Sequence, residues 1–217
     1  MMNEIMIIGR SSRKEDAILY VDATRQALGE TTLKDWSENH TFSLVGAGPR
    51  IVDVAGIGRV MQFIPAQGQG YFQTQSPVDL STDPMVIEVV FQSLSPSATQ
   101  MVWCSGDYVT RIVAGLAHYG MVGVGGHQLF PTDNSGNYVR CSINGNQGQV
   151  FNLRIETYPD SRQVKVRNIV SGEVQTFSVP NWFGAGERLS VGGSYVGGIT
   201  YALLQGYVQK LIISKVS

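Results

Sequence analysis

The segment from Phe151 to Val179 allows little freedom in local structure. Phe151, Leu153 and Ile155 alternate with Asn152, Arg154 and Glu156. This period of two puts one set of side chains on each face of a strand. Pro159-Asp160-Ser161-Arg162 then turns the chain into Gln163 to Val170, where Val164 and Val166 alternate with Lys165 and Arg167. Ser171-Gly172 turns it again into Glu173 to Val179. Connections this short join antiparallel neighbours, so the segment reads as a three-stranded meander.

The rest of the chain repeats the pattern less cleanly. Arg59 to Ile64, Tyr71-Phe72, Gln100 to Cys104, Tyr108 to His118, Met121 to Val124 and Tyr138 to Ile143 are β-prone. Between them lie turn signals: Gly68 to Gly70, Ser105-Gly106-Asp107, Gly125-Gly126, Asp133 to Gly136 and Asn144-Gly145. Glycine is plentiful, 25 of 217 residues, and its spread without period marks turns between short strands. Met85 to Gln92 (MVIEVVFQ) is almost continuously apolar, the mark of a central strand buried on both faces. Strands at this spacing, with no helical stretch of convincing length, predict an all-β sandwich or barrel.

The two ends of the chain are expected to meet. Ser12 to Glu15 has the form of a helix-capping box, but Ala17 to Asp22 alternates in a β-prone run and is read as a strand, with Arg25 to Glu30 a loop or single turn. At the other end, Leu189 and Val191 open a strand that breaks at Gly192-Gly193. The chain closes with Val208, Leu211 and Ile213 apolar against Gln209, Lys210, Ser214 and Lys215. Pairing of this close with Ala17 to Asp22 puts both ends in one sheet. The apolar Met1 to Ile8 is left as an edge strand or a contact with a neighbouring subunit. Residues 1–16 are therefore read as an arm and 17–217 as a single domain.

Composition narrows the function classes. With 43% hydrophobic and 15% charged residues and a formal net charge of −1, the chain has no basic field to attract nucleic acid. No apolar run approaches the ~20 residues of a membrane span, and the N-terminus does not read as a signal peptide. Cys104 and Cys141 fit no metal-ligand spacing and are read as buried thiols of a chain made in a reducing cytoplasm.

Four stretches resemble a known family. They are ILYVDAT followed by LKDWSENHTFSL; RVMQFIPAQGQGYFQTQSPVDLSTDPMVIEVVFQ; QMVWCSGD; and LSVGGS with LLQGYVQKLIISKVS. Together they resemble the concanavalin A-like lectin/glucanase sandwich, and within it the laminin-G-like branch common in bacterial and phage proteins. Two departures stand out: Glu38 occupies a position where glycine is usual, and Trp36 follows its aspartate instead of preceding it. The resemblance implies a two-sheet antiparallel jelly-roll sandwich, with Met85 to Gln92 and Val208 to Val216 inside its sheets.

Hydrolysis by this fold needs two carboxylates flanking the scissile bond, about 5 Å apart in retaining enzymes. Neither Glu-x-Asp-x-Glu nor Glu-x-Asp-x-x-Glu occurs. Glu88 and Glu156 stand singly in their strands and read as solvated or hydrogen-bonded carboxylates, and His118 and His127 as surface or core residues. Gly123 to Gly126 lacks the strand-to-helix setting of a phosphate loop. The chain reads as non-enzymatic and without a cofactor, calcium being left open. Relatives implied by the resemblance bind calcium through hard oxygen ligands, for which Asp35, Asn39, Asp107, Asp133 and Asn134 are candidates. The competing reading is that these side chains bond their own turns.

Loop aromatics are the other candidate site, because aromatic faces stack on sugar rings while polar neighbours fix orientation. Trp182, Tyr195 and Tyr201 lie in glycine-flanked sequence, and Tyr108 sits beside Asp107. Trp103 and Phe91 read as core. Two functions are expected: a virion structural protein, homo-oligomeric and bound to other particle proteins, or a carbohydrate-binding module recognising surface glycans.

Overall fold

The computed structural model describes residues 16–64, 70–80, 83–94, 99–107, 111–121, 124–129, 139–141, 148–178, 188–196, 199–201 and 203–216. At 99, across 106–141 and across 194–201 the description is of the backbone alone. The strands of the first half are β1 (Ala17–Asp22), β2 (Phe42–Val45), β3 (Arg50–Val54), β4 (Gly58–Phe63), β5 (Tyr71–Thr74), β6 (Met85–Ser93), β7 (Thr99–Asp107) and β8 (Arg111–Met121). There follow β9 (Val124–Leu129), β10 (Val139–Cys141), β11 (Val150–Tyr158), β12 (Gln163–Asn168) and β13 (Val174–Ser178). The last are β14 (Leu189–Val191), β15 (Ser194–Val196), β16 (Ile199–Tyr201) and β17 (Gly206–Lys215).

Two antiparallel sheets form a sandwich. The first runs β13-β12-β11-β6-β17-β4-β3, with β1 also paired to β17; the second runs β10-β9-β8-β7-β14-β5-β2. Between them lies one core that includes Leu19, Phe63, Phe72, Ile87, Phe91, Trp103, Phe151, Leu189 and Ile213. Phe63 of the first sheet meets Phe72 of the second edge-to-face, ring centroids 6.2 Å apart. Phe91 and Phe151, neighbours within the first sheet, stack at 5.2 Å. Cys104 is a buried residue of β7, and Trp103 is 2% exposed.

The meander is β11-β12-β13, paired as Ile155↔Val166 and Val164↔Phe177. Strand β6 sits between β11 and β17. Val86 and Val90 on its outer face are also buried, at 7% and 9% exposure, which accounts for its lack of alternation.

Strand β17 pairs with two strands along one edge. Gly206–Val208 pair with β4, and Lys210–Ser214 pair with β1 as Asp22↔Lys210 through Ala17↔Ser214. The change of partner coincides with a bulge at Gln209, whose Nε2 donates to the Ile57 carbonyl at 2.8 Å. A bulge bends the strand locally, so one ten-residue strand serves both partners. The outer edge of β1 is in turn covered by the loop Asp35–His40: Trp36 N–H donates to Tyr20 O at 2.7 Å, and Val21 bridges Asp35.

Two local expectations need correction. Gly125-Gly126 is not a break, because β9 runs through it and pairs with Tyr119 and Gly120 of β8. Cross-strand hydrogen bonds need no side chain, so a glycine pair inside a sheet costs stability without ending the strand. Strand β8 is continuous from Arg111 to Met121. Strand β3 has no clean alternation, yet it pairs with β4 from Arg50↔Gln62 to Val54↔Gly58. The Met1–Ile8 segment, Asp133–Gly136 and Asn144-Gly145 lie outside the described residues.

Candidate functional site

A groove of about 570 Å³ opens at one end of the sandwich, lined by Asp16, Ala17, Ile18, Asn39, His40, Pro77, Asp79 and Lys215. Its residues come from both sheets. Ala17 and Ile18 begin β1, Lys215 ends β17, the Asn39-His40 pair leads into β2, and Pro77 and Asp79 follow β5. Antiparallel pairing of Ala17 with Ser214 places the first and last of these together.

The Asp35 carboxylate shapes the groove wall. Its Oδ1 accepts from Tyr20 N–H at 2.8 Å and Ser37 N–H at 3.0 Å, and its Oδ2 accepts from His40 N–H at 2.8 Å. Ser37 Oγ donates to the same carboxylate at 2.7 Å. Asn39 Nδ2 donates to the carbonyls of Ala17 and Ile18 at 3.0 and 3.2 Å. Asp35 and Asn39, two of the calcium candidates, thus fasten this loop to β1, and the Asp35 oxygens face N–H and O–H donors. Glu38, at the glycine position of the turn, has φ +68°, a left-handed conformation that glycine adopts without steric cost.

Within the groove, His40 Nδ1 lies 3.2 Å from Ser76 Oγ. The Lys215 ammonium contacts Asp83 Oδ2 at 2.5 Å. Hydrogen bonding to Asp83 and the charges of Asp83 and Asp79 hold Lys215 above the usual lysine pKa. Pro77 and Ile18 supply apolar surface. A cleft of this size with a few convergent polar groups is the ordinary form of a small-ligand site.

A second cluster lies further along the same loop. The Arg25 guanidinium stacks 4.5 Å over Trp36 and 5.6 Å from the Tyr20 ring centroid, while Trp36 Nε1 donates to the Asp22 carbonyl at 3.3 Å. On the outer face of the first sheet, Arg154 bonds Glu88 through Nη1 at 2.9 Å and Glu156 through Nε at 3.0 Å. Burial works against ionisation of Glu156, but hydrogen bonds from Arg154 and Tyr158 and the Lys165 charge outweigh it and hold its pKa below the usual range. Both strand carboxylates are hydrogen-bonded to the same guanidinium.

The residues singled out from sequence do not converge. Tyr195 and Tyr201 lie on a separate β15-β16 ribbon, paired as Tyr195↔Thr200 and Ser194↔Tyr201, so they are not cross-strand partners. This ribbon follows β14 toward the Thr99 end of β7, because Leu189 pairs with Ser105 and Val191 with Trp103. Asp107 lies at the opposite end of β7, which is the end of the second sheet nearest Pro77. Gly206 and Lys215, at the two ends of β17, are about 30 Å apart, so the ribbon and the groove occupy opposite ends of the sandwich. By register His118 opposes His127, and His127 opposes Cys141. Tyr108, Trp182, Asp133 and Asn134 lie outside the described residues. Apart from Asn39, the polar groove residues carry no local signal: Asp16, His40, Asp79 and Lys215 are scattered along the chain and brought together by strand pairing.

Comparison with solved structures places this architecture. The binding domain of botulinum neurotoxin DC, solved in complex with rat synaptotagmin II, superposes with a TM-score of 0.66 at 9% identity, over 95% of this chain and 50% of that one. The chain therefore spans half the length of that domain. Domain 4 of AbnA, a GH43 extracellular arabinanase from Geobacillus stearothermophilus solved with arabinotriose, matches with a TM-score of 0.61 at 13% identity, over 92% of both chains. The fold is a lectin-like jelly roll. The CBM40 of a Ruminococcus gnavus sialidase, bound to α2,6-sialyllactose, aligns over 63% of this chain and 80% of its own, with a TM-score of 0.50 at 15% identity. At these identities the likeness is one of fold. No protein-family model and no curated protein matches the sequence.

Proposed function

We propose that this jelly roll is a non-catalytic glycan-binding module and that the groove between β1, β17 and the Asn39-His40 and Pro77–Asp79 loops is its binding site. The observation behind this reading is the groove: carboxylate, imidazole and ammonium groups converge beside Pro77 and Ile18 in about 570 Å³. That suits a saccharide, which presents hydroxyls at its rim and C–H groups on its faces. The whole-length fold match to a domain solved with arabinotriose and the match to a sialyllactose-bound CBM40 favour the same class of ligand. The role in a virus particle expected from the low charge and the N-terminal segment draws no support from these folds.

The ribbon of Tyr195 and Tyr201 remains the other place for sugar contact. A glycan array followed by calorimetry on the full chain tests both. Binding lost in His40→Ala and kept in Tyr195→Ala assigns the groove, and the reverse assigns the ribbon. An array blank for the wild type removes glycan binding altogether.

A further inference from the structure

The Arg25 guanidinium is held in place yet unpaired. Asp22 caps the short turn Ala23–Arg25 by accepting from Thr24 N–H, which fixes the backbone from which Arg25 projects. The guanidinium carbon lies 4.5 Å from the Trp36 ring centroid and 5.6 Å from that of Tyr20. Trp36 is itself pinned twice, its backbone N–H on the Tyr20 carbonyl and its Nε1 on the Asp22 carbonyl. Arg25 is exposed and, among the described residues, makes no hydrogen bond or ion pair. The carboxylates nearest in sequence are engaged elsewhere: Asp22 with Thr24 and the Tyr20 hydroxyl, Glu30 with Gln26 and Lys34. Lys34 Nζ lies 6.0 Å from the same Trp36 ring.

Contact with aromatic rings occupies the faces of a guanidinium and leaves the N–H groups at its edge for a ligand. That edge takes two oxygens of a carboxylate or sulfate at once, and charge-assisted pairs of this kind are stronger than neutral hydrogen bonds. The patch is also continuous with the groove. Ile18, which lines the groove, and Tyr20, beneath Arg25, alternate with the buried Leu19 and Val21 on β1. They therefore share one face of the strand, about 7 Å apart. The loop Asp35–His40 runs beside them, with Trp36 at the patch and Asn39 and His40 at the groove. From this arrangement we infer that Arg25, on its platform of Trp36 and Tyr20, is a subsite for the carboxylate or sulfate of an acidic saccharide whose neighbouring sugar occupies the groove. The inference rests on the glycan-binding reading of that groove.

The test is an array of matched glycan pairs, each neutral structure printed beside its uronate, sialylated or sulfated counterpart, with glutamate-rich peptides alongside. It is probed with the full chain and with Arg25→Ala, Arg25→Lys and His40→Ala, each checked for folding by a thermal melt. Acidic members of at least one class are expected to bind about tenfold better than their neutral counterparts, and the advantage should shrink as salt is raised. Arg25→Ala should bring the ratio close to one. Arg25→Lys should restore it only in part, since an ammonium keeps the charge but not the planar fork. A fall in Arg25→Ala that weakens acidic and neutral members alike, with a lowered melting temperature, makes Arg25 a structural residue and overturns the subsite. Acidic members bound no better than neutral ones, with binding still lost in His40→Ala, overturn the subsite and leave glycan binding standing. An acidic preference unchanged in Arg25→Ala overturns the assignment to Arg25. Signal from the peptides alone, lost in Arg25→Ala, overturns the saccharide as its ligand. An array with no signal at all overturns both readings.

Discussion

The backbone N–H of Tyr20 donates to Asp35 Oδ1 over 2.8 Å. This bond joins the edge strand of the first sheet to the loop that walls the groove, and the same carboxylate also takes Ser37 N–H and His40 N–H. Loss of the carboxylate strands several donors at once. Asp35→Ala should lower stability by about 2–4 kcal/mol, read as a fall in the urea midpoint. Asp35→Asn should cost less, since one acceptor oxygen survives. An alanine variant as stable as the wild type would show that the loop is held by other contacts.

Glu38 pays a steric penalty at φ +68° that a residue without a Cβ avoids. Glu38→Gly should therefore gain about 0.5–1 kcal/mol after the extra backbone entropy of glycine is subtracted. A lower melting temperature in this variant would place the strain elsewhere.

Position 192 combines two constraints. Gly192 has φ +81°, and a Cβ there would run into the Phe63 ring. Gly192→Ala should cost about 3 kcal/mol or more, from left-handed strain and displacement of a core aromatic. Combined with Phe63→Leu, the loss should be smaller than the sum of the two single changes, because the smaller side chain leaves room. Strict additivity in that double-mutant cycle would refute the clash.

Acid should weaken the fold partly through Glu156. Its pKa in the folded state lies below the ordinary glutamate value, with burial opposing and Arg154, Tyr158 and Lys165 prevailing. A depressed folded pKa means the stabilisation is complete above the unfolded value and fades as pH falls through the folded one. Urea melts should thus show stability lost below about pH 4.5, and Glu156→Gln should flatten that part of the profile. An unchanged acid limb in the variant would assign the loss to other carboxylates.

Some of this architecture is written in short stretches. Alternation at Phe151–Ile155 and Val164–Val166 sets strand faces because the side-chain period is two, and the turns at Pro159 and Gly172 set the pairing of β11, β12 and β13. The apolar run at Met85–Gln92 announces a strand covered on both sides. By contrast, β3 and the glycine pair in β9 are strands only because neighbours offer hydrogen bonds, a tertiary fact with no local pattern. Glu38 lies between: its departure from the expected glycine is visible in the sequence, but the conformation it must adopt is not.

The sequence by itself determined that this chain is an all-β sandwich whose ends meet in one sheet, since binary patterning and turn chemistry act over a few residues. The tertiary structure decided where a ligand can sit. Asp16, His40, Asp79 and Lys215 come from separate segments, and no spacing links them. They become neighbours because β1 lies antiparallel to β17 and the loops of the second sheet close over that end. Strand register over nearly two hundred residues of separation makes the groove, and register is a property of the packed sheet.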